Sequence, residues 1–291
     1  MSSDLSSGKG HRDENFPVAS FLIAGRHRPA IMAFYRVARL ADDIADHPTA
    51  STHEKDARIG AIRSSLIGAS DEVREAVALR ETQRVLAISP DHILDLLVAF
   101  QRDVRKARYA NWAELMDYCR YSAAPVGRYV LEVHGESPAI WPASDALCTA
   151  LQVINHLQDC GEDYRELNRV YVPLDVLDAA GVEVSALSGS SASPALQGVI
   201  ADLARRSLEL LDTAAPLAGQ VRDLRLRLEI GVIQRLAVDL AGRLTRRDPL
   251  SQRVHHRPLE AIGLAVLGGA DALSGRGGGS ANVQTGAIGR T

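Results

Sequence analysis

Residues 29–47 read PAIMAFYRVARLADDIADH, and the order of polar and apolar residues within them decides the fold class. Pro29 opens a helix without loss, because the first turn leaves its N–H groups without intrahelical partners in any case. Pro48 stops it. Tyr35, Arg39, Asp42 and Asp46 step by four, three and four residues, which puts them on one face. Phe34, Val37, Ala38, Ala41, Ile44 and Ala45 border that line on both sides. A polar stripe with apolar flanks is not a solvated face; it reads as a helix lining a polar pocket. The competing reading is a surface helix with a few terminal acids, although acids at a helix C-terminus oppose the macrodipole and gain nothing locally.

A second stretch weighs against that competitor. Gln152, Asn155, Asp159 and Asp163 step by three, four and four, between Leu147, Leu151, Ile154 and Leu157. Burying several carboxylates unpaired is very costly, and bound cations remove that cost. Carboxylate and amide oxygens with water suit a hard ion such as Mg²⁺, which commonly bridges carboxylates to substrate phosphates. The chemistry suggested is binding and ionisation of a diphosphate ester.

The rest of the chain agrees with an all-α protein. Of 291 residues, 46% are hydrophobic and only 4% aromatic, which favours helices over strands. The net charge of −3 leaves no basic excess for a phosphate backbone, so nucleic acid is excluded as a main partner. Cys119, Cys148 and Cys160 have neither a disulfide framework nor zinc spacing, and imply a reducing compartment. Residues 1–14 are polar, without the apolar region of a signal peptide, and no run of 18 apolar residues exists to span a membrane.

The expected organisation is a flexible arm over 1–14, one helical domain over 15–273 and a disordered Gly-rich tail over 274–291. Helices are expected over 29–47, 52–67, 71–86 (capped by the Ala69-Ser70-Asp71 group), 93–104 (capped by Asp91), 112–134 (interrupted by Pro125 and Gly127), 144–164, 196–213, 216–246 and 258–273, with loop and short helices over 165–195.

Four ordered motifs carry a family resemblance. Asp42-Asp43-Ile44-Ala45-Asp46 resembles the first aspartate-rich motif of the head-to-head prenyl synthases, the family of squalene, dehydrosqualene and phytoene synthases. Residues 155–163, Asn-His-Leu-Gln-Asp-Cys-Gly-Glu-Asp, resemble its second motif. Arg169-Val170-Tyr171-Val172-Pro173 is similar to its Arg-x-Tyr-x-Pro segment, and residues 118–127 to its central helix. Residues 14–20, and the segment Gln101-Arg102-Asp103-Val104 through Tyr109, look like the hydroxysqualene synthase branch. Gln158 departs from the condensing relatives, which usually carry Arg there, and Gln supplies neither the charge nor the bidentate fork.

The resemblance implies the isoprenoid synthase helical bundle with a central cavity. It implies Mg²⁺ and no NADPH, with presqualene diphosphate and water converted to hydroxysqualene and diphosphate on the squalene/hopanoid route. Asp42, Asp43, Asp46, Asn155, Asp159 and Asp163 are the implied metal set. Asp42, Asp46, Asp159, Asp163 and Tyr171 are the implied catalytic residues. Tyr35, Arg39, Gln152, Asn155, Arg169, Phe16, Tyr118 and Tyr121 are the implied substrate contacts. Arg39 has two readings, a phosphate contact or an ion pair with Asp42.

Phe16, Phe21, Phe34, Tyr118 and Tyr121 are the aromatic faces available to a carbocation. Ala123, Ala124 and Gly127 are expected to leave room for hydrocarbon tails. His156 is read as structural, and His27, His255 and His256 as surface residues. The expected location is cytoplasmic, with peripheral contact at the inner membrane and association with the neighbouring enzymes of the pathway. Two other readings stay open: a condensing synthase making presqualene diphosphate or phytoene, and a non-catalytic assembly factor of the same fold.

Overall fold

The computed structural model describes residues 23–274; Phe16, Ser20, Phe21 and the expected arm and tail lie outside them, apart from Ser274. Among the described residues the chain forms thirteen α-helices and no strand beyond one isolated bridge between Arg108 and Val170. The helices are α1 (Arg28–Ala45), α2 (Thr52–Leu66), α3 (Arg74–Leu86), α4 (Asp91–Arg105), α5 (Trp112–Ser122), α6 (Ala124–Val133) and α7 (Trp141–Gln158). After them come α8 (Cys160–Leu167), α9 (Leu174–Ala179), α10 (Pro194–Ala214), α11 (Leu217–Gln220), α12 (Leu224–Leu244) and α13 (Pro258–Ser274).

Local chemistry explains most boundaries. Ser51 and Glu54 form a reciprocal capping box at the start of α2. Asn111 and Ser193 cap α5 and α10 with their side chains. Two expected caps are not used. Asp71 turns away to pair with Arg80 at 2.8 Å, so α3 starts at Arg74 behind Val73. Asp91 lies inside the first turn of α4, behind Pro90. The segment 112–134 is two helices that meet at Ala123, because Pro125 lacks the N–H that a continuous helix would use and instead sits in the first turn of α6. The long C-terminal helix expected from 216 divides into α11 and α12.

Two packed clusters build the core. One joins α1 to α4, with Phe34, Val37, Ile59, Leu79, Ile93 and Leu97 buried in it. The other surrounds α7, whose Ala150, Val153 and Ile154 are almost wholly buried against α6, α10 and α12. Tyr129 joins α6 to the first of them: its ring stacks on Phe34 at 4.2 Å and its hydroxyl donates to the Ala30 carbonyl at 3.1 Å. Phe34 is therefore a core side chain and not a face turned to substrate.

Gly127 also has a packing role. A Cβ there would lie 2.5 Å from Ser144 Oγ and 2.6 Å from Cys148 Sγ, so the missing side chain lets α6 close on α7 and does not create free space. Ala123 and Ala124 are likewise buried.

The helices α12 and α13 form an antiparallel hairpin around a second close approach. A Cβ on Gly268 would stand 2.5 Å from the Gly231 carbonyl oxygen, and one on Gly231 would stand 2.6 Å from that of Gly268. Backbone meets backbone there, so relief needs a helix to move. Gly268→Val is expected to cost about 1–3 kcal/mol through overpacking. Chemical denaturation followed by circular dichroism checks it; an unchanged midpoint would mean that the two helices separate freely.

Candidate active site

The acidic end of α1 is organised by two arginines. Arg39, one turn before the acids, reaches Asp42 at 3.1 Å and Asp43 at 2.8 Å. Of its two readings, the carboxylate contact is the one the structure contains. Asp46 caps the C-terminus of α1, where Arg169 meets its Oδ1 at 2.5 Å and also donates to the Ala45 carbonyl at 3.1 Å. A guanidinium at a helix C-terminus satisfies carbonyls that have no partner in the helix and complements the macrodipole. Lys55 Nζ donates to the same Ala45 carbonyl at 2.8 Å.

Arg169 is only 8% exposed. Burial disfavours its charge, but Tyr171, Asp46 and Asp103 outweigh that and hold its pKa above the ordinary arginine value.

Local structure delivers Arg169 to this place. Asn168 ends α8 in the left-handed region at φ 51°, a conformation that asparagine tolerates better than most residues. The chain then runs beside residues 107–109, with the Val170 N–H donating to the Ala107 carbonyl at 2.9 Å. Tyr171, two residues beyond Arg169, is thereby turned to the same side.

Around Tyr171 lies a cluster that the motif reading missed in part. Asp103 on α4 accepts hydrogen bonds from the hydroxyls of Tyr118 at 2.8 Å and Tyr171 at 3.0 Å. The His156 ring stacks on Tyr171 at 3.6 Å between centroids, and its Nδ1 stands 3.9 Å from Asp163. Tyr109 stacks on Tyr171 at 5.6 Å, and its hydroxyl is buried with no hydrogen-bond partner.

A signal for Asp103 was present in the sequence. It continues the Ile93, Leu96, Phe100 line by a further three residues, so α4 carries a carboxylate on its core-facing stripe.

The electrostatics are those of crowded acids. Burial, then the negative charge of Asp46, push the Asp42 carboxyl up to about 7 against the pull of Arg39. Its side chain keeps 38% exposure, so it is not sealed in. Burial pushes Asp103 up to about 6, opposed by Arg169 and the two phenols. The Tyr118 and Tyr171 hydroxyls are held well above their ordinary values by burial and by Asp103, so both remain donors.

The second acidic stripe sits at the joint of α7 and α8. Asp159 is the junction residue, and Asp163 follows one turn later with its N–H bonded to the Asp159 carbonyl at 2.8 Å. Asn155 accepts the Asp159 N–H on its backbone carbonyl at 2.9 Å. Gln152 joins His156 at 3.1 Å, which places it behind the aromatic cluster. Tyr35 is half-buried on α1.

Tyr121 does not join the cluster; the Arg102 and Arg120 guanidiniums lie 4.5 and 4.9 Å from its ring centre. His256 is not a surface residue either, since it meets Asp239 at 2.9 Å, and His27 is half-buried against the ring of His134.

Two cavities flank this centre. One of about 610 Å³ runs along Asp159, Glu162 and Asp163 on one side and residues 249–255 on the other. The other, about 260 Å³, is lined by Asp46, Lys55, Asp103 and Arg169 among others. Among the described residues no cluster of three or more His, Cys, Asp or Glu stands ready as a metal cage. The acids come instead as pairs one turn apart on separate helices.

The squalene/phytoene synthase family model matches residues 10–260. The chain belongs to that family. It is an enzyme of the family, and its neighbours agree over nearly the whole length. It is 52% identical over 273 residues to a protein of Zymomonas mobilis named hydroxysqualene synthase, covering 92% of this chain and 91% of that one. A hydroxysqualene synthase of Rhodopseudomonas palustris is 52% identical over 260 residues, 89% of each chain.

Among solved structures, the squalene synthase HpnC of Alicyclobacillus acidocaldarius superposes with a TM-score of 0.70 at 31% identity, covering 79% of this chain and 87% of that one. A dehydrosqualene synthase bound to a ligand superposes at 0.73 with 19% identity, covering 87% and 89%, which speaks for the shared fold alone. The all-α isoprenoid synthase fold expected from the motifs is the fold observed.

Gln158, where the motif departs from the condensing relatives, is 8% exposed, and its amide donates to the Val254 carbonyl. It holds the segment 249–255 against the second acidic stripe. Gln158→Ala is expected to loosen that wall, seen as about ten-fold faster amide hydrogen exchange in 249–255 with α7 unchanged. Equal exchange would show that the segment is held by other contacts.

A second expectation follows from Asp103. Its folded pKa lies above the unfolded value of 3.8, so the native state binds the extra proton between 3.8 and about 6. The stability this lends is full below that window and is lost as pH rises through it. Relative to Asp103→Asn, the parent chain should therefore gain stability as pH falls from 7 to 4, measured by urea unfolding with linear extrapolation to water. A pH-independent difference would contradict the burial of the charged group.

Proposed function

We propose that this chain converts presqualene diphosphate and water to hydroxysqualene and diphosphate, on the squalene/hopanoid route. The observation that carries the reading is the similarity, near half identity over about nine-tenths of the chain, to proteins named hydroxysqualene synthase. The neutral Gln158 supports the same branch: its amide is engaged by Val254 and offers no guanidinium to a second diphosphate.

The residues fit Mg²⁺ as the resident ion. Asp42 and Asp46 sit one turn apart, and the charge of Asp46 disfavours ionisation of Asp42, which a bound cation would relieve. Mg²⁺ takes one or two carboxylates and completes its shell with water and phosphate oxygens, so paired acids on two helices suit it better than a closed cage would. Asp42, Asp46, Asp159 and Asp163 would hold it, with Asn155 as a neutral neighbour. Asp43, held by Arg39, tunes the pair. When bound, the metal supplies neutralisation of the charge that grows on the leaving diphosphate.

The chain's own residues do the remaining work. Arg169 fixes Asp46 and keeps positive charge at the end of α1. Loss of diphosphate breaks a carbon–oxygen bond and leaves a cyclopropylcarbinyl cation, which rearranges to join the two prenyl halves. Asp103 lies on the wall of the cavity it shares with Asp46 and Arg169, where its carboxylate would offset positive charge on carbon, and the stacked rings of Tyr118, Tyr171, Tyr109 and His156 pack around it. Asp103 fixes the two phenols through their hydroxyls. Water adds its oxygen to the rearranged cation, and its spare proton passes to the released diphosphate. No hydride donor is needed.

Asp159→Asn is expected to lower turnover about 100-fold or more with helicity unchanged. Asp46→Asn should in addition lose stability, on the order of 3 kcal/mol, because a nearly buried Arg169 is left without its anion. The deciding assay supplies presqualene diphosphate and farnesyl diphosphate separately, with Mg²⁺ and without NADPH, and identifies products by mass spectrometry. Hydroxysqualene from presqualene diphosphate alone is the expected result. A condensation product from farnesyl diphosphate would make the chain a condensing synthase, and no product from either would favour an assembly role.

A further inference from the structure

The outer face of α13 is apolar, and among the described residues nothing covers it. Ile262, Val266 and Leu273 are 62%, 69% and 63% exposed, and they follow one stripe of the helix with Ala270 between them. Leu267 and Gly263 are exposed beside that stripe, and Leu224 at the start of α12 extends the surface. Scattered exposed apolar residues are ordinary, but a continuous helix face of them marks a contact surface. The two acids of α13 are drawn aside: Glu260 meets Arg243 at 3.0 Å and Asp271 lies 3.8 Å from Arg235.

Both ends of this face are basic, in a chain whose net charge is −3. At one end the turn from α12 to α13 exposes Arg246, Arg247, Arg253 and Arg257. Its acid, Asp248, is occupied by the N–H groups of Ala192 and Leu250 at 2.8 and 2.9 Å. At the other end Arg225 is exposed, Arg222 is exposed but also meets Glu136 at 3.4 Å, and Asp223 between them is occupied in capping α12.

We infer that the α12–α13 hairpin is a docking surface for an anionic lipid bilayer, with the apolar face of α13 entering the headgroup–acyl boundary and the arginines at its two ends meeting acidic headgroups. An apolar face bordered by guanidiniums matches that occupant in both chemistry and charge. A second copy of the chain matches it less well, because antiparallel or parallel pairing of two such faces brings arginines against arginines. Among the described residues no helix is long and apolar enough to cross a membrane, so the mode of contact is lying on the surface. The inference rests on the proposed reaction for its purpose: a substrate and a product with two long hydrocarbon tails reside in a bilayer, and a chain docked there takes and returns them without passing them through water.

The test is co-sedimentation of the full chain with vesicles of phosphatidylcholine alone and with vesicles that also contain phosphatidylglycerol. Binding is expected to the phosphatidylglycerol vesicles and to weaken as salt rises. The double substitution Val266→Gln and Leu267→Gln is expected to lower that binding about ten-fold, by withdrawing two side chains from the acyl boundary, with an unchanged circular dichroism spectrum. Equal vesicle binding by parent and variant overturns the inference, as does equal binding to the two vesicle types. A dimer in the parent that the same substitutions dissolve overturns it too, in favour of a second copy.

Turnover of detergent-dispersed presqualene diphosphate separates this idea from the proposed reaction. Retained turnover without vesicle binding removes the docking surface alone. Vesicle binding lost on substitution, in a chain with no turnover, removes the reaction alone.

Discussion

A nearly buried guanidinium organises the site. Arg169 is taken out of water at considerable cost, and it is stable there because Asp46 and the Ala45 carbonyl receive it. That contact joins residues 123 apart in the chain and fixes the end of α1 against the segment that follows α8. The position of Tyr171 follows from it, and through Tyr171 the stack on His156 and the bonds to Asp103. Removing the clasp would free the first acidic motif from the second, and the cavity lined by Asp46, Asp103 and Arg169 would lose its shape.

The same region is electrostatically unrelieved. Asp42 and Asp103 are both pushed well above ordinary carboxylate values, chiefly by burial, and Asp46 adds to the burden on Asp42. A fold selected only for stability would replace such groups with apolar residues of similar volume. Asp103 is held there by the hydroxyls of two stacked phenols, and this crowding of acids is the feature on which the proposed binding of positive charge rests. Stability is supplied elsewhere, by the α7 core and by close helix contacts at Gly127 and at the Gly231–Gly268 crossing.

The exposed helix α13 fits the same division of labour. Its inner side is pressed against α12 by glycine contacts, and its outer side carries apolar residues that stay exposed among the described residues. Interior packing accounts for the first side; the inferred docking surface is the reading offered for the second.

Helical periodicity is a local property, so the sequence by itself determined the all-α class, the two acidic stripes and most helix ends. The four ordered motifs determined the family. Local sequence could not determine which groups meet across the bundle. It left Arg39 between two readings, counted Tyr121 with the site, treated Gly127 as free space, and took Asp71 and Asp91 for helix caps. It quoted Asp103 within a motif but gave it no role. The partners that matter most are distant in the chain: Asp103 meets Tyr171 across 68 residues, and Gln158 meets Val254 across 96. Tertiary structure decided them, because a side chain's ionisation and orientation are set by whatever the packed helices bring within a few ångströms, and spacing along one helix carries no record of that.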